Sequence, residues 1–253
     1  MKNNIYLYTD YIHNNSVVHR RLVEYFGADT VHICDADDIL SGLLDRDDPK
    51  TSIFVMPGGA DLYFCEKLNG AGNQKIKDFV LNGGCYLGIC AGAYYGCAFL
   101  GFAENIKGRS ISGERELGFY SGKAIGPIFD YIQDLDFEKS WDGIATIDYQ
   151  GQVLKCLYRG GPFFEGDIDR ALCLASYTDI VDTPPAVIEV PFGQGKAILC
   201  GPHLEFRSSD YKKVLYQHRN ENYDYEDALV DALKEHDVHI DHVWSNMLKR
   251  LSS

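Results

Sequence analysis

Apolar residues along the chain occur in short continuous runs that longer amphipathic segments separate. In the first half, the runs that predict strands are residues 5–9, 30–34, 53–56 and 85–89. The segments between them have apolar residues at helical spacing, as Val18, Leu22 and Phe26 do. The predicted helices are residues 16–26, 37–44 and 73–82. Strands that are apolar throughout are typical of a sheet covered on both faces, so this alternation predicts an α/β fold with a doubly wound, mostly parallel sheet and helices on both faces.

From about residue 108 to residue 189 the apolar runs become shorter, and glycine and proline interrupt them. This pattern favours antiparallel hairpins. The strands that we expect there are residues 144–149, 152–158, 171–177 and 186–190. A last run, residues 195–200, predicts a strand that returns to the first half. We therefore expect an antiparallel elaboration of the same sheet and not a separate domain.

The C-terminal part of the chain, residues 211–251, is predicted to be helical and to pack on an outer face or against a partner. It contains no pattern typical of catalysis. We therefore expect residues 1–253 to form one domain with a helical C-terminal extension from about residue 208 to residue 253.

Residues 84–96 read GCYLGICAGAYYG, which predicts a buried strand, a sharp turn at Cys90 and the start of a helix. Gly88 and Gly92 flank Cys90 at two residues on either side, and Ala91 follows it directly. A strained strand-to-helix turn that exposes one side chain tolerates only such small neighbours. A thiol at the start of a helix is also favoured as the thiolate. Cys90 is therefore the leading candidate for a nucleophile; a cysteine that only fills the core does not need both glycines.

His203 and Glu205 directly follow the predicted strand 195–200 and the Gly-Pro pair that ends it. Active sites of open α/β sheets lie outside the carboxyl ends of the strands, where Cys90 is also expected. His203 is therefore a candidate to take the thiol proton, and Glu205 is a candidate to orient the imidazole. The alternatives are a loop histidine and a surface carboxylate, which the H-x-E spacing disfavours.

Several further residues are candidates for binding the substrate or a developing oxyanion. The backbone N–H of Ala91 and the turn at Gly58 and Gly59 are candidate oxyanion donors, although this turn is equally consistent with the simple end of a strand. Other candidates lie in the elbow helix and in two glycine-rich segments with aromatic and charged residues: Tyr94, Arg115 and Arg159. An aromatic residue at the position of Tyr94 packs more often than it contacts substrate, and each arginine is suited to binding a carboxylate.

Composition excludes several classes of partner. The formal net charge of −13 disfavours nucleic acids and anionic membranes, and no apolar run is long enough to cross a bilayer. The first residues lead directly into a strand without a signal-peptide core, so we expect a cytoplasmic protein. The eight cysteines include no C-x-x-C pair, and we expect reduced thiols, no metal site and no cofactor.

The elbow, residues 56–61 (MPGGAD) and residues 201–205 (GPHLE) resemble the class I glutamine amidotransferase superfamily. Three segments carry a closer resemblance, to the N-terminal amidotransferase-like domain of biotin–protein ligases and its stand-alone bacterial relatives. They are residues 84–95 (GCYLGICAGAYY), 115–122 (RELGFYSG) and 158–164 (YRGGPFF). The resemblance runs from Ile5 to about Phe206. It implies a flavodoxin-like fold and a Cys-His-Glu site, without a settled reaction.

Two functions follow as hypotheses. The first is a cysteine-dependent amidotransferase or amidohydrolase that acts on a small amide or amino-acid-like substrate, with a synthase or a biotin-handling protein as partner. The second is a binding or regulatory module that keeps the same cavity without turnover. A related cysteine peptidase is disfavoured because Ala91 stands where the histidine of that branch directly follows the nucleophile. The chain contains no GxxxxGK[ST] loop and no ligase motif, so biotinylation by this chain alone is not expected.

Overall fold

The computed structural model describes residues 4–10, 15–132, 140–166, 171–216 and 224–253. Strands and helices are numbered in chain order. The strands are β1 (Asn4–Tyr8), β2 (Val31–Cys34), β3 (Ser52–Met56), β4 (Cys85–Ile89), β5 (Cys97–Phe102), β6 (Ile111–Glu114), β7 (Tyr120–Gly126), β8 (Asp142–Tyr149), β9 (Gln152–Arg159), β10 (Phe163–Glu165), β11 (Leu172–Tyr177), β12 (Pro185–Phe192) and β13 (Gly195–Cys200). The helices are α1 (Asn15–Phe26), α2 (Ala36–Leu40), α3 (Asp61–Leu68), α4 (Ala71–Leu81), α5 (Ala91–Tyr95), α6 (Ser208–Tyr216), α7 (Asp224–Lys234) and α8 (Asp237–Leu251).

A nine-stranded sheet has the order β2-β1-β3-β4-β13-β12-β11-β8-β9. Its first five strands are parallel, as predicted. Alternate residues of these strands enter two different cores: Ile53 and Val55 of β3 pack with α1 and α8, and Phe54 and Met56 pack with α2, α3 and α4. Both faces are therefore covered, which explains why these strands are almost entirely apolar.

The remaining four strands of this sheet are antiparallel. They correspond to the four runs predicted in the second half of the chain, so the expected elaboration of the same sheet is confirmed. A second, four-stranded sheet with the order β10-β7-β5-β6 was not predicted. Its edge strand β6 alternates between partly buried and exposed residues, and β5 also contains partly exposed positions. The short apolar runs in this part of the chain therefore carry a weak strand signal.

The C-terminal helix α8 lies against β4, β13 and β9. Its buried side chains are Ile240, Val243, Trp244, Met247, Leu248 and Leu251. They join the core that contains Leu87 and Ile89 of β4. The helix thus covers the strands that lead to Cys90 and His203. Within the described residues, none of the helices combines the length and apolar character that a membrane span requires.

Candidate active site

Cys90 occupies the turn between β4 and α5, with φ of 52° and ψ of −107°. This positive φ is unusual for a residue with a side chain and stores local strain. The flanking glycines have no room for a larger residue. A Cβ at Gly88 would lie 2.4 Å from the Gly92 carbonyl oxygen, and a Cβ at Gly92 would lie 1.9 Å from the Met56 carbonyl oxygen. The predicted strand–turn–helix geometry is therefore present. As predicted, it needs small residues beside Cys90, because larger ones would clash with the backbone.

The register of three parallel strands brings distant segments to the same edge of the sheet. Met56 of β3 pairs with Gly88 of β4, and Ile89 pairs with Cys200 of β13. The Cys90 backbone N–H continues this ladder and donates to the Cys200 carbonyl oxygen at 2.8 Å. The residues that directly follow β3, β4 and β13 thus lie side by side.

His203 lies next to Cys90 and is held by Glu205. The His203 Nδ1 and the Glu205 Oε1 are 2.7 Å apart, and the Cys90 sulfur is close enough to the imidazole to raise its pKa. Gly58 leaves room for this approach of His203 to Cys90, since a Cβ at Gly58 would lie 2.9 Å from His203 Cε1 and 3.5 Å from Cys90 Cβ. His203 is 7% exposed and Glu205 is 1% exposed. The structure therefore brings together four residues that the sequence analysis selected, from three separate segments.

The buried surroundings change the protonation of His203. Burial by itself lowers the pKa of the imidazole, but the Glu205 carboxylate and the Cys90 sulfur outweigh burial and raise the pKa to about 10. At neutral pH the imidazole therefore carries a proton. Its positive charge lies between a carboxylate and a sulfur atom.

The loop of residues 159–162 forms a wall beside Cys90, whose Sγ donates to the Arg159 carbonyl oxygen at 3.5 Å. The next three carbonyl oxygens each accept from a buried tyrosine hydroxyl: Gly160 from Tyr94 at 3.1 Å, Gly161 from Tyr158 at 2.8 Å and Pro162 from Tyr177 at 3.0 Å. Burial raises the pKa of all three tyrosines well above their usual value, so the hydroxyls remain donors. The backbone of this wall is thereby fixed.

The same loop packs, backbone against backbone, on the turn that carries His203. A Cβ at Gly161 would lie 1.9 Å from the Gly201 carbonyl oxygen, and a Cβ at Gly201 would lie 2.0 Å from the Pro162 carbonyl oxygen. In addition, the His203 backbone N–H donates to the Leu157 carbonyl oxygen at 2.9 Å. The position of the imidazole therefore depends on β9 and the loop after it.

A cavity of about 410 Å³ opens beside Cys90. Its lining residues are Gly59, Ala60, Asp61, Leu62, Tyr63, Glu66, Cys90, Ala91, Tyr94, Leu100, Phe102, Ile111, Trp141, Arg159 and Gly160. The rings of Phe102 and Trp141 stack with centroids 5.6 Å apart and planes inclined by 1°, and Tyr94 meets Phe102 edge-on at 5.8 Å. Most of the wall is thus apolar and aromatic.

The two candidate arginines are paired with carboxylates. Arg159 lines the cavity, and its Nε donates to Asp142 Oδ1 at 2.6 Å. The Tyr211 hydroxyl donates to the other oxygen of Asp142 at 2.8 Å. The Arg115 Nε and Nη2 lie 2.7 and 2.6 Å from Asp61 Oδ2. Asp61 lines the cavity, and Arg115 contacts Asp61 without belonging to the described lining.

Sequence reasoning missed the residues that support this site from other elements. These are Asp61, Phe102, Trp141, Asp142, Tyr158, Tyr177 and Tyr211. Asp61 and Tyr158 lie within the selected segments 56–61 and 158–164, which were local signals for them. The others act across strands and helices that are remote in the chain.

The family model described as "Biotin-protein ligase, N terminal" matches residues 39–252. The chain belongs to this family. The family resemblance expected from the sequence is thus confirmed. The family model also matches the C-terminal helices, since it extends to residue 252.

Two relatives of this biotin-protein ligase N-terminal family member share about a third of the aligned residues. An uncharacterized protein of Chlamydia muridarum (strain MoPn / Nigg) is 37% identical over 162 residues, which are 62% of this chain and 61% of that protein. A biotin–protein ligase of Schizosaccharomyces pombe is 34% identical over 167 residues, which are 62% of this chain and 26% of the ligase. The chain therefore covers less than two thirds of both relatives.

The fold is also similar to a solved structure from Thermoplasma acidophilum, that of a protein described as a GMP synthase component. The TM-score is 0.50, the sequence identity is 16%, and 98% of both chains is covered. This likeness concerns the fold, and it agrees with the α/β architecture predicted from the sequence.

Proposed function

We propose that this member of the biotin-protein ligase N-terminal family is a cysteine-dependent enzyme of the amidotransferase or amidohydrolase kind. Cys90 is the nucleophile, His203 carries the proton, and Glu205 orients the imidazole. One observation supports these roles above all: a cysteine on a strained turn lies beside a histidine that is itself paired with a buried carboxylate. This is the arrangement of nucleophile, base and orienting group that covalent acyl transfer requires.

The proposed reaction has two halves. In the first, Cys90 Sγ bonds to the carbonyl carbon of an amide, and the C–N bond breaks while protonated His203 gives its proton to the leaving nitrogen. The acyl group then remains on Cys90 as a thioester. In the second, water adds to the thioester carbonyl and gives a proton to His203, and the C–S bond breaks. The products are a carboxylic acid and the regenerated Cys90–His203 pair, in which the proton from water is on the imidazole.

The oxyanion formed in both halves needs hydrogen-bond donors. We assign this role to the backbone N–H groups of Ala91 and Gly59, because both residues line the cavity next to Cys90. Gly58 allows the His203 ring to approach. If ammonia is transferred and not released, we expect a synthase or a biotin-handling protein to hold the acceptor; the S. pombe relative is a biotin–protein ligase.

The first test is selective alkylation by iodoacetamide at pH 7, read by peptide mass spectrometry. We expect Cys90 to react faster than each of the other seven cysteines, because it lines the cavity beside His203, as an activated nucleophile does. Cys65 and Cys173 are the internal controls, since both are more exposed than Cys90 and exposure alone would give the opposite order. Burial raises the pKa of the Cys65 thiol, so Cys173 is the stricter control of the two.

His203→Ala should slow alkylation at Cys90 and leave the rate at Cys173 unchanged. Equal labelling of all thiols, or no labelling at Cys90, would remove the support for a nucleophile. Should Cys90→Ser keep the full biological effect of the protein, the site acts by binding, as in the alternative hypothesis.

A further inference from the structure

The cavity beside Cys90 is larger and more apolar than a small polar substrate requires. Its volume is about 410 Å³, and four aromatic and three aliphatic side chains belong to the described lining. The Phe102 and Trp141 rings stack on one another in this wall, and the Arg109 guanidinium carbon lies over the Trp141 ring, 5.9 Å from its centroid. Cavities of this kind bind ligands mainly through apolar contact, with a few polar groups that set the orientation.

Two of the three charged residues in the described lining are compensated within the protein. Arg159 is paired with Asp142 at 2.6 Å, and Asp61 is paired with Arg115 at 2.6 Å. The third charged lining residue, Glu66, is exposed to solvent on α3, as are its neighbours Leu62 and Tyr63. An ionic ligand that entered the cavity would lose water and find partners that already have counterions.

We infer that the acyl group transferred to Cys90 is uncharged and mainly apolar, so that it packs against Phe102 and Trp141, and that it is not the acyl group of free glutamine. This inference rests on the proposed function, because it takes Cys90 as the nucleophile. The Arg159 guanidinium orients the acyl group by donating to a neutral acceptor. Phe102 and Trp141 are then residues that determine specificity.

Two chloromethyl ketones with the same reactive group test the inference. The first, 1-chloro-4-phenylbutan-2-one, presents an apolar planar group, and the second, 2-amino-5-chloro-4-oxopentanoic acid, presents the charged groups of an amino acid. The second-order rate of Cys90 alkylation is measured by mass spectrometry for each probe and divided by the iodoacetamide rate of the same protein. After this correction we expect the phenyl probe to be faster by at least about tenfold.

Variants of the cavity wall sharpen the test. Phe102→Ala and Trp141→Ala should lower the preference for the phenyl probe, since each removes an aromatic ring from the cavity wall. Asp142→Asn leaves Arg159 without its carboxylate, so this variant should react faster with the amino-acid probe. No gain in Asp142→Asn would contradict the charge compensation on which the inference depends.

The failures of the two proposals are distinguishable. If the amino-acid probe labels Cys90 as fast as the phenyl probe or faster, the inference on the substrate is overturned while Cys90 remains a nucleophile. An unchanged preference in both Phe102→Ala and Trp141→Ala overturns it as well. If neither probe nor iodoacetamide labels Cys90 selectively, the proposed function itself fails, and the inference fails with it.

Discussion

His203 keeps its proton in the folded protein although it is buried. The pKa of an exposed histidine is about 6.5, and Glu205 and Cys90 raise that of His203 to about 10. Because the pKa is raised in the folded state, the stabilisation that this proton provides is complete below about pH 6.5 and is lost as the pH rises through about 10. Neutral pH therefore lies within the range in which the imidazolium is present.

This protonation predicts how stability depends on pH. As the pH rises from 7 through about 10, the free energy of unfolding should fall, because the folded protein then loses the His203 proton and its charge interaction with Glu205. In His203→Gln, which has no such proton to lose, the free energy of unfolding should fall less over the same range. Denaturant unfolding of both proteins at several pH values measures the difference. The same pH dependence in both proteins would contradict a protonated His203.

At the scale of single residues, the sequence predicted the groups that lie close to one another in the chain. Gly88, Cys90 and Gly92 form one short pattern, and His203 and Glu205 form another. Asp142 could not be found in this way, because its partner Tyr211 is 69 residues away. An aspartate at the start of an amphipathic strand has the same local pattern whether it faces solvent or an arginine.

At the scale of elements, the strands that position Cys90 and His203 were predictable because both of their faces are buried. Helix α3 was not predicted, although it forms part of the cavity wall. Its Leu62 and Tyr63 are 51% and 46% exposed, so its apolar residues do not follow one helical face. The exposure of Leu62 and Tyr63 therefore has two consequences. It removes the regular apolar face by which a helix is predicted, and it places apolar side chains at the cavity.

The loop of residues 159–162 gives a prediction at this scale. Tyr177→Phe removes the donor to the Pro162 carbonyl and leaves a buried oxygen unsatisfied, so the free energy of unfolding should fall by about 1–3 kcal/mol. Because this loop packs on the turn of His203, Cys90 should also react more slowly with iodoacetamide. Denaturant unfolding and alkylation kinetics measure the two effects.

Tyr95→Phe is the matched control for that loop variant. The hydroxyl of Tyr95 is also buried, and it donates to Asn73 at 2.7 Å and not to the loop. We expect a comparable loss of stability with little change in the alkylation of Cys90. Equal slowing in both variants would mean that the tyrosines act only through general stability.

At the scale of the whole molecule, the C-terminal helices belong to the core that supports the site. The sequence resemblance ended near Phe206, whereas the family model continues to residue 252. The sequence pattern predicted that this part of the chain is helical. It did not predict what the helices pack against, because an amphipathic helix packs equally well on its own protein or on a partner. The contact of α8 with β4 and β13 decides between these two alternatives in favour of the protein itself.

Trp244 tests whether α8 supports the site. Its side chain is 2% exposed and packs in the core with β4 and β13, so Trp244→Ala should lower the free energy of unfolding by about 3–5 kcal/mol. Val238 on the same helix is 78% exposed, so Val238→Ala should change the free energy of unfolding by less than about 0.5 kcal/mol. Since β4 and β13 carry Cys90 and His203, Trp244→Ala should also slow the alkylation of Cys90 at denaturant concentrations where the protein is still folded. Wild-type stability in Trp244→Ala would show that α8 unfolds separately from the sheet, and the helix would then have no part in holding the cysteine and the histidine together.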